Sequence, residues 1–172
     1  MNDTFTRRRL LLWLALCISA QACPVHAGSE RLDDSTSPSS RVEAPVVLGN
    51  NGGLLADSPD ATQAIVKFGR VDYRLATAPY VGKQARIYYV APAAIPGLVS
   101  PSGLRLEWRG NGLFSDGSAR PGERVLVWSG KVDDAWMSEG LDLTLYVELA
   151  SIRLSPGESF GFESWFEIEV LP

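Results

Sequence analysis

Beyond residue 27 this 172-residue chain has no cysteine and no histidine, because Cys17, Cys23 and His26 all fall in its first 27 positions. With that leader removed, the remainder cannot assemble a Ser-His-Asp triad, a cysteine nucleophile, a thiol redox centre or a zinc site built on Cys and His. It cannot form a disulfide either, although export would permit one, so stability has to come from packing alone. A surplus of basic charge is also missing. The formal charge is −4, and it becomes −6 once Asp3, Arg7, Arg8 and Arg9 leave with the leader. An acidic balance without a basic stripe argues against nucleic acid and anionic membrane surfaces as partners. Helical periodicity is the third absence. No stretch after residue 61 places apolar residues at i, i+3, i+4 and i+7 over three turns, so no substantial helix is predicted.

The long apolar run that does occur is the leader. Arg7 to Arg9 form a positive segment, Leu10 to Ala20 an apolar stretch short for a membrane span, and Val25-His26-Ala27 a small-residue cleavage site. Residues 1–27 are therefore read as a secretory signal peptide with Gly28 as the mature N-terminus. The protein is expected to be exported, whether periplasmic, cell-surface or secreted, with no membrane insertion after signal removal. Two competing readings concern the route. Thr6-Arg7-Arg8-Arg9-Leu10-Leu11 also resembles a twin-arginine signal, and Ala20-Gln21-Ala22-Cys23 is loosely like a lipobox but lacks its usual leucine. The 145 residues after the leader suffice for one domain with a sizeable core.

Residues 28–60 differ in composition from residues 61–172. Asp33 to Ser40 is polar and nearly free of large apolar groups, too poor in buriable surface to offset the entropy of ordering, so a flexible arm or linker is expected. Inside it, Val46, Val47 and Leu48 form an apolar patch before Gly49-Asn50-Asn51-Gly52-Gly53, read as a short docking strand and a glycine turn. The glycines are no phosphate loop, since the lysine of GxxxxGK[ST] is absent.

Residues 61–172 read as short strands separated by turn chemistry. Leu104, Leu106 and Trp108 alternate with Arg105, Glu107 and Arg109, and Leu141 to Leu149 alternate with Asp142, Thr144, Tyr146 and Glu148. Phe160 to Val170 closes the chain with Phe162, Phe166 and Ile168 on one face and Glu163, Trp165, Glu167 and Glu169 on the other. Further strands are predicted over 64–68 and 71–75, bent at Gly69, over 84–91, and over 124–128, where Val125-Leu126-Val127 suggests cover on both sides. Asp133 to Gly140 is left between a loop and a single helical turn around Trp136. Pro92 to Gly103, with its prolines, is a connection. The expectation is all-β, an Ig-like antiparallel β-sandwich of about seven strands, without the Cys and Trp hallmarks of true immunoglobulin domains. Its core should contain Leu104, Leu106, Trp108, Leu143, Leu145, Val147, Phe162, Phe166 and Ile168.

Candidate functional residues are few. Glu163, Glu167 and Glu169 share a face, where a hard cation such as Ca²⁺ would relieve their repulsion; arginines from neighbouring strands, such as Arg105, Arg109 or Arg153, do the same without a metal, and no metal or cofactor is expected. Trp165 and Tyr146 are placed on outer faces, where flat rings can stack on sugars. Val46, Val47 and Leu48 are the other candidate binding set, for a protein partner or self-association. In architecture alone the pattern resembles a bacterial fimbrial subunit, whose N-terminal arm adds a strand to a neighbour; the chain departs from it in lacking the disulfide and in an arm that alternates poorly. The function expected first is a non-enzymatic exported module for protein interaction or assembly. The alternatives are a polysaccharide-binding module using Trp165 and Tyr146, and a hydrolase working with carboxylates alone.

Overall fold

Alternating apolar and polar side chains build the molecule, and the two sets of dry faces meet in one core. The computed structural model describes residues 28–38, 46–158 and 160–172. The expected signal peptide and residues 39–45 of the expected arm lie outside these. The described residues form nine strands: β1 (Ser29–Arg31), β2 (Val46–Gly49), β3 (Gln63–Ala76), β4 (Gln84–Val90), β5 (Leu104–Gly110), β6 (Gly117–Ala119), β7 (Arg124–Lys131), β8 (Trp136–Glu148) and β9 (Trp165–Val170). They form two antiparallel sheets, ordered β1-β9-β4-β7 and β2-β3-β8-β5-β6. The described residues contain short 3₁₀ turns and no α-helix; none of their helices is long and apolar enough to cross a membrane.

Register sets which side chains are dry. Opposite residues of an antiparallel pair share a face, so Leu106 against Leu145 and Trp108 against Leu143 turn the same way, into the core. Phe166 and Ile168 do so from the other sheet. The sheets touch through aromatic edges. Phe166 meets Tyr73 at 5.0 Å and Tyr89 at 5.1 Å, both edge-on, and Tyr89 lies 4.7 Å from Trp108. Such geometry matches the ring quadrupoles and gives more than area alone.

Several expectations are corrected by these strands. Seven of the described strands fall in residues 61–172, and the segment read as an arm adds β1 and β2 as edge strands and buries Leu32 in the core. The closing strand starts at Trp165, so Phe162 lies before it and is only half-buried. The expected bend at Gly69 is a bulge inside one 14-residue strand, with φ +71° supplied by glycine. Trp136 opens a strand instead of sitting in a helical turn; it is exposed, with the Arg74 guanidinium 4.6 Å above its ring. Leu126 faces solvent on an edge strand: Ile87 pairs with Trp128 and Tyr88 with Leu126, leaving Val127 as an extra, inward residue.

Candidate functional site

The residues singled out from the sequence separate into those the sheets gather and those they do not. β2 lies along the first part of β3 with Val46 opposite Lys67, Val47 opposite Val66 and Leu48 opposite Ile65. Val47 and Val66 face the core, which puts Val46 and Leu48 on the outer face. From there the register continues. Ile65 is opposite Tyr146, Tyr146 is opposite Arg105, and Leu48 bridges Leu54 on its other side. The outcome is a row running Leu54, Leu48, Ile65, Tyr146, Arg105 across the outer face of the larger sheet. Leu54 is 52% exposed and Val46 beside it 40%, while Leu48, Ile65 and Tyr146 are half-buried by one another. A solvent-facing sheet surface normally alternates to polar side chains, so four adjacent apolar or aromatic positions here form a patch. Its flanks carry both signs: Lys67, Thr144 and Glu107 on one side, Gln63 and Glu148 on the other.

Arg105 closes the row at its charged end. Its guanidinium stacks 4.6 Å above the Tyr146 ring and pairs with Glu107. Burial first, and then a hydrogen bond to Glu107, push the Tyr146 phenol above its ordinary range, so at neutral pH it is an uncharged hydroxyl.

The outer edge of β2 is folded over. The Gly49 N–H donates to the Gly53 carbonyl at 2.8 Å, Gly52 turns the chain at φ +83°, and Leu54 comes back alongside Leu48. At this end of β2 the main-chain donor of Gly49 is thus taken by the chain itself. The exposed feature is the face. Removing 41–53 would also strip a strand from β3, so it is not the neutral deletion that an unattached arm would allow.

Trp165 lies elsewhere, on the outer face of the smaller sheet. It donates from Nε1 to Glu167 at 3.0 Å, with the Arg31 guanidinium 5.5 Å over its ring. Trp165 and Tyr146 therefore stand on opposite sheets, each covered by an arginine, and do not form one platform. Around Trp165 the acidic face is offset by arginines, but not the expected ones. Arg124 of β7 reaches across β4, 3.2 Å above the Tyr88 ring, to Glu167 at 2.9 Å and Glu169 at 3.5 Å; Arg31 pairs with Glu163. Arg153 instead donates to the Ala150 and Ile152 carbonyls. Partial burial would raise the Glu167 carboxyl, but bonds from Ser29, Trp165 and Arg124 outweigh it and hold it below its ordinary value. Glu169 is lowered by the Tyr88 hydroxyl and then by Arg124. Among the described residues no group of three His, Cys, Asp or Glu side chains is placed to hold a metal ion.

Sequence reasoning passed over Glu139. It stands in β8 on the parity of Met137, Leu141 and Leu143, hence on the dry face, and it is 6% exposed. Its carboxylate accepts the N–H groups of Asn111 and Gly140 through Oε1, at 3.0 Å each, and those of Leu113 and Phe114 through Oε2. It anchors the β5–β6 connection and so seats Phe114 against Phe166, 5.5 Å away. A charged residue on the parity of a core face was the readable signal. Tyr73 and Tyr89 are a second polar element in the core; burial raises both phenols, and the Tyr89 hydroxyl shares a hydrogen bond with Ser164. A shallow groove of about 410 Å³ opens beside Glu139, lined also by Arg70, Arg74 and Asn111. Arg70 in it is paired with Asp72 at 2.7 Å.

No protein-family model, curated protein or solved structure matches this chain.

Proposed function

We propose that the protein is an exported, non-enzymatic sandwich module, Ig-like in its two-sheet layering, that assembles through the outer face of its larger sheet, with a second copy of the chain as the partner. The observation that carries this is the row Leu54, Leu48, Ile65, Tyr146. Apolar side chains held side by side by register, and left in water, gain by burial against a matching surface. The choice of a second copy rests on charge. A ring of one sign around the row would repel its own duplicate, whereas Lys67 and Glu148, together with the Arg105–Glu107 pair, give this ring both signs. The export reading rests on the leader: Arg7 to Arg9, the apolar run to Ala20, and the small residues before Gly28.

The alternatives have less support. Sugar stacking would have to use Trp165 or Tyr146 singly, since they occupy opposite sheets. A carboxylate hydrolase would have to free Glu167 and Glu169 from Arg124. Sedimentation velocity over a concentration series tests the proposal. The wild-type protein should associate, Leu48→Lys should be monomeric while remaining folded, and Trp165→Ala should associate like wild type. A wild type that stays monomeric throughout, or association untouched by Leu48→Lys, contradicts it.

A further inference from the structure

The chain contains two Asn-Gly pairs, Asn51-Gly52 and Asn111-Gly112, both exposed. Glycine at the second position leaves the backbone nitrogen unshielded and conformationally free, which favours attack on the preceding side chain. In that reaction the glycine nitrogen gives up its proton and bonds to the asparagine Cγ. The bond from Cγ to the amide nitrogen breaks, and that nitrogen leaves as ammonia, carrying the proton. Water then opens the resulting five-membered imide at either carbonyl, giving aspartate or isoaspartate. Nothing is oxidised or reduced, and water is the only co-reactant.

The two sites differ in what holds the reacting atoms. At the first, the Gly52 N–H donates to the Gly49 carbonyl at 3.0 Å, and the Asn51 amide is engaged at both ends. Its Oδ1 accepts from the Gly53 N–H at 3.0 Å and from Ser58 at 3.1 Å, and its Nδ2 donates to Ser58 at 3.0 Å. At the second, no hydrogen bond among the described residues engages the Gly112 N–H or the Asn111 Oδ1. The Asn111 amide makes one bond, from Nδ2 to Asp142 at 3.2 Å. The carboxylate of Glu139, which takes the N–H groups of Asn111 and Leu113 on either side, lies beside the intervening glycine: a Cβ at Gly112 would stand 3.3 Å from its Oε2. The Gly112 N–H is thus left unbonded between two anchored neighbours.

We infer that Asn111 is a site of spontaneous deamidation, exposed to it by the unbonded Gly112 N–H and an amide oxygen without a partner, and that Asn51 is protected by its turn. The product replaces an amide donor facing Asp142 with a second carboxylate, so like charges meet where a hydrogen bond stood. The loop that seats Phe114 is loosened as the molecule ages.

Peptide mapping by mass spectrometry, on purified protein incubated at mildly alkaline pH, reads both sites in one sample. A urea-unfolded sample supplies the rate without structure. Asn111 in the folded protein should convert about tenfold faster than Asn51, the factor corresponding to the turn hydrogen bond that must open at Gly52. Gly112→Ala should slow Asn111 and leave Asn51 unchanged. Equal rates at the two sites, faster conversion at Asn51, or no conversion at Asn111 while the unfolded sample converts both would each overturn the inference.

Discussion

Truncating Phe166 to alanine asks whether the two sheets are held together as the packing indicates. The ring is fully buried and touches Tyr73 of β3, Tyr89 of β4 and Phe114 of the β5–β6 connection, so it joins both sheets and the Glu139-anchored loop. Removing a buried phenylalanine costs about 3 to 5 kcal/mol, from lost transfer free energy and the cavity left behind. Its two edge-on aromatic contacts, worth about 0.5 to 1.5 kcal/mol each beyond area, put the expected loss near the top of that range. For a domain of this size each kcal/mol moves the midpoint by roughly 2 to 4 °C, so thermal unfolding should shift down by roughly 10 to 20 °C. The comparison is Trp165→Ala, one position away on the outer face, where one hydrogen bond and one arginine stack are lost, together about 1 to 2 kcal/mol. Urea unfolding followed by near-ultraviolet circular dichroism measures both. A Phe166→Ala loss below about 1.5 kcal/mol, or a larger loss for Trp165→Ala, would mean that the parity of β9 is inverted.

Glu139→Ala leaves the N–H groups of Leu113 and Phe114 without this acceptor, and that of Asn111 with the Gly140 carbonyl alone. It should cost about 3 kcal/mol or more and raise hydrogen-exchange rates at those amides before any others; unchanged exchange there would refute the anchoring role. The acid limb of stability should depend on Arg124. Glu167 and Glu169 are held below their ordinary 4.5 in the folded state, so their contribution is fully present above that pH and is lost as pH falls through the folded values. Arg124→Met should lower stability at neutral pH and flatten that acid loss, seen by urea unfolding at a series of pH values; an unaltered acid limb refutes the coupling.

The strands with one wet face were legible because a single period governs them: β5 and β8 alternate cleanly, and Leu104, Leu106, Trp108, Leu143, Leu145 and Val147 are buried. β1 was not legible. Ser29-Glu30-Arg31 has no strand propensity to read and is extended because β9 supplies its hydrogen-bond partners, with Leu32 fixing the end in the core. β7 misled because its bulge sets Val127 and Trp128 consecutively toward the interior, which breaks the alternation that would have marked Leu126 as outward. The patch was half legible. Val46, Leu48 and Tyr146 stood out singly, but their meeting is a property of register between β2, β3 and β8, which no local pattern encodes. Ile65 and Leu54, which join them, looked ordinary for the same reason.

The face-to-face assembly is tested most directly by a thiol placed at the centre of the row. The chain after residue 27 has no cysteine, so Ile65→Cys gives residues 28–172 a single reactive group there, and Ser129→Cys gives one on the outer face of the smaller sheet. With a short bis-maleimide, at protein concentrations of about 1 to 100 μM, the Ile65 variant should yield a covalent dimer that Leu48→Lys abolishes, and the Ser129 variant should not. A monomer from the Ile65 variant across that range, or equal crosslinking from both positions, would contradict the account.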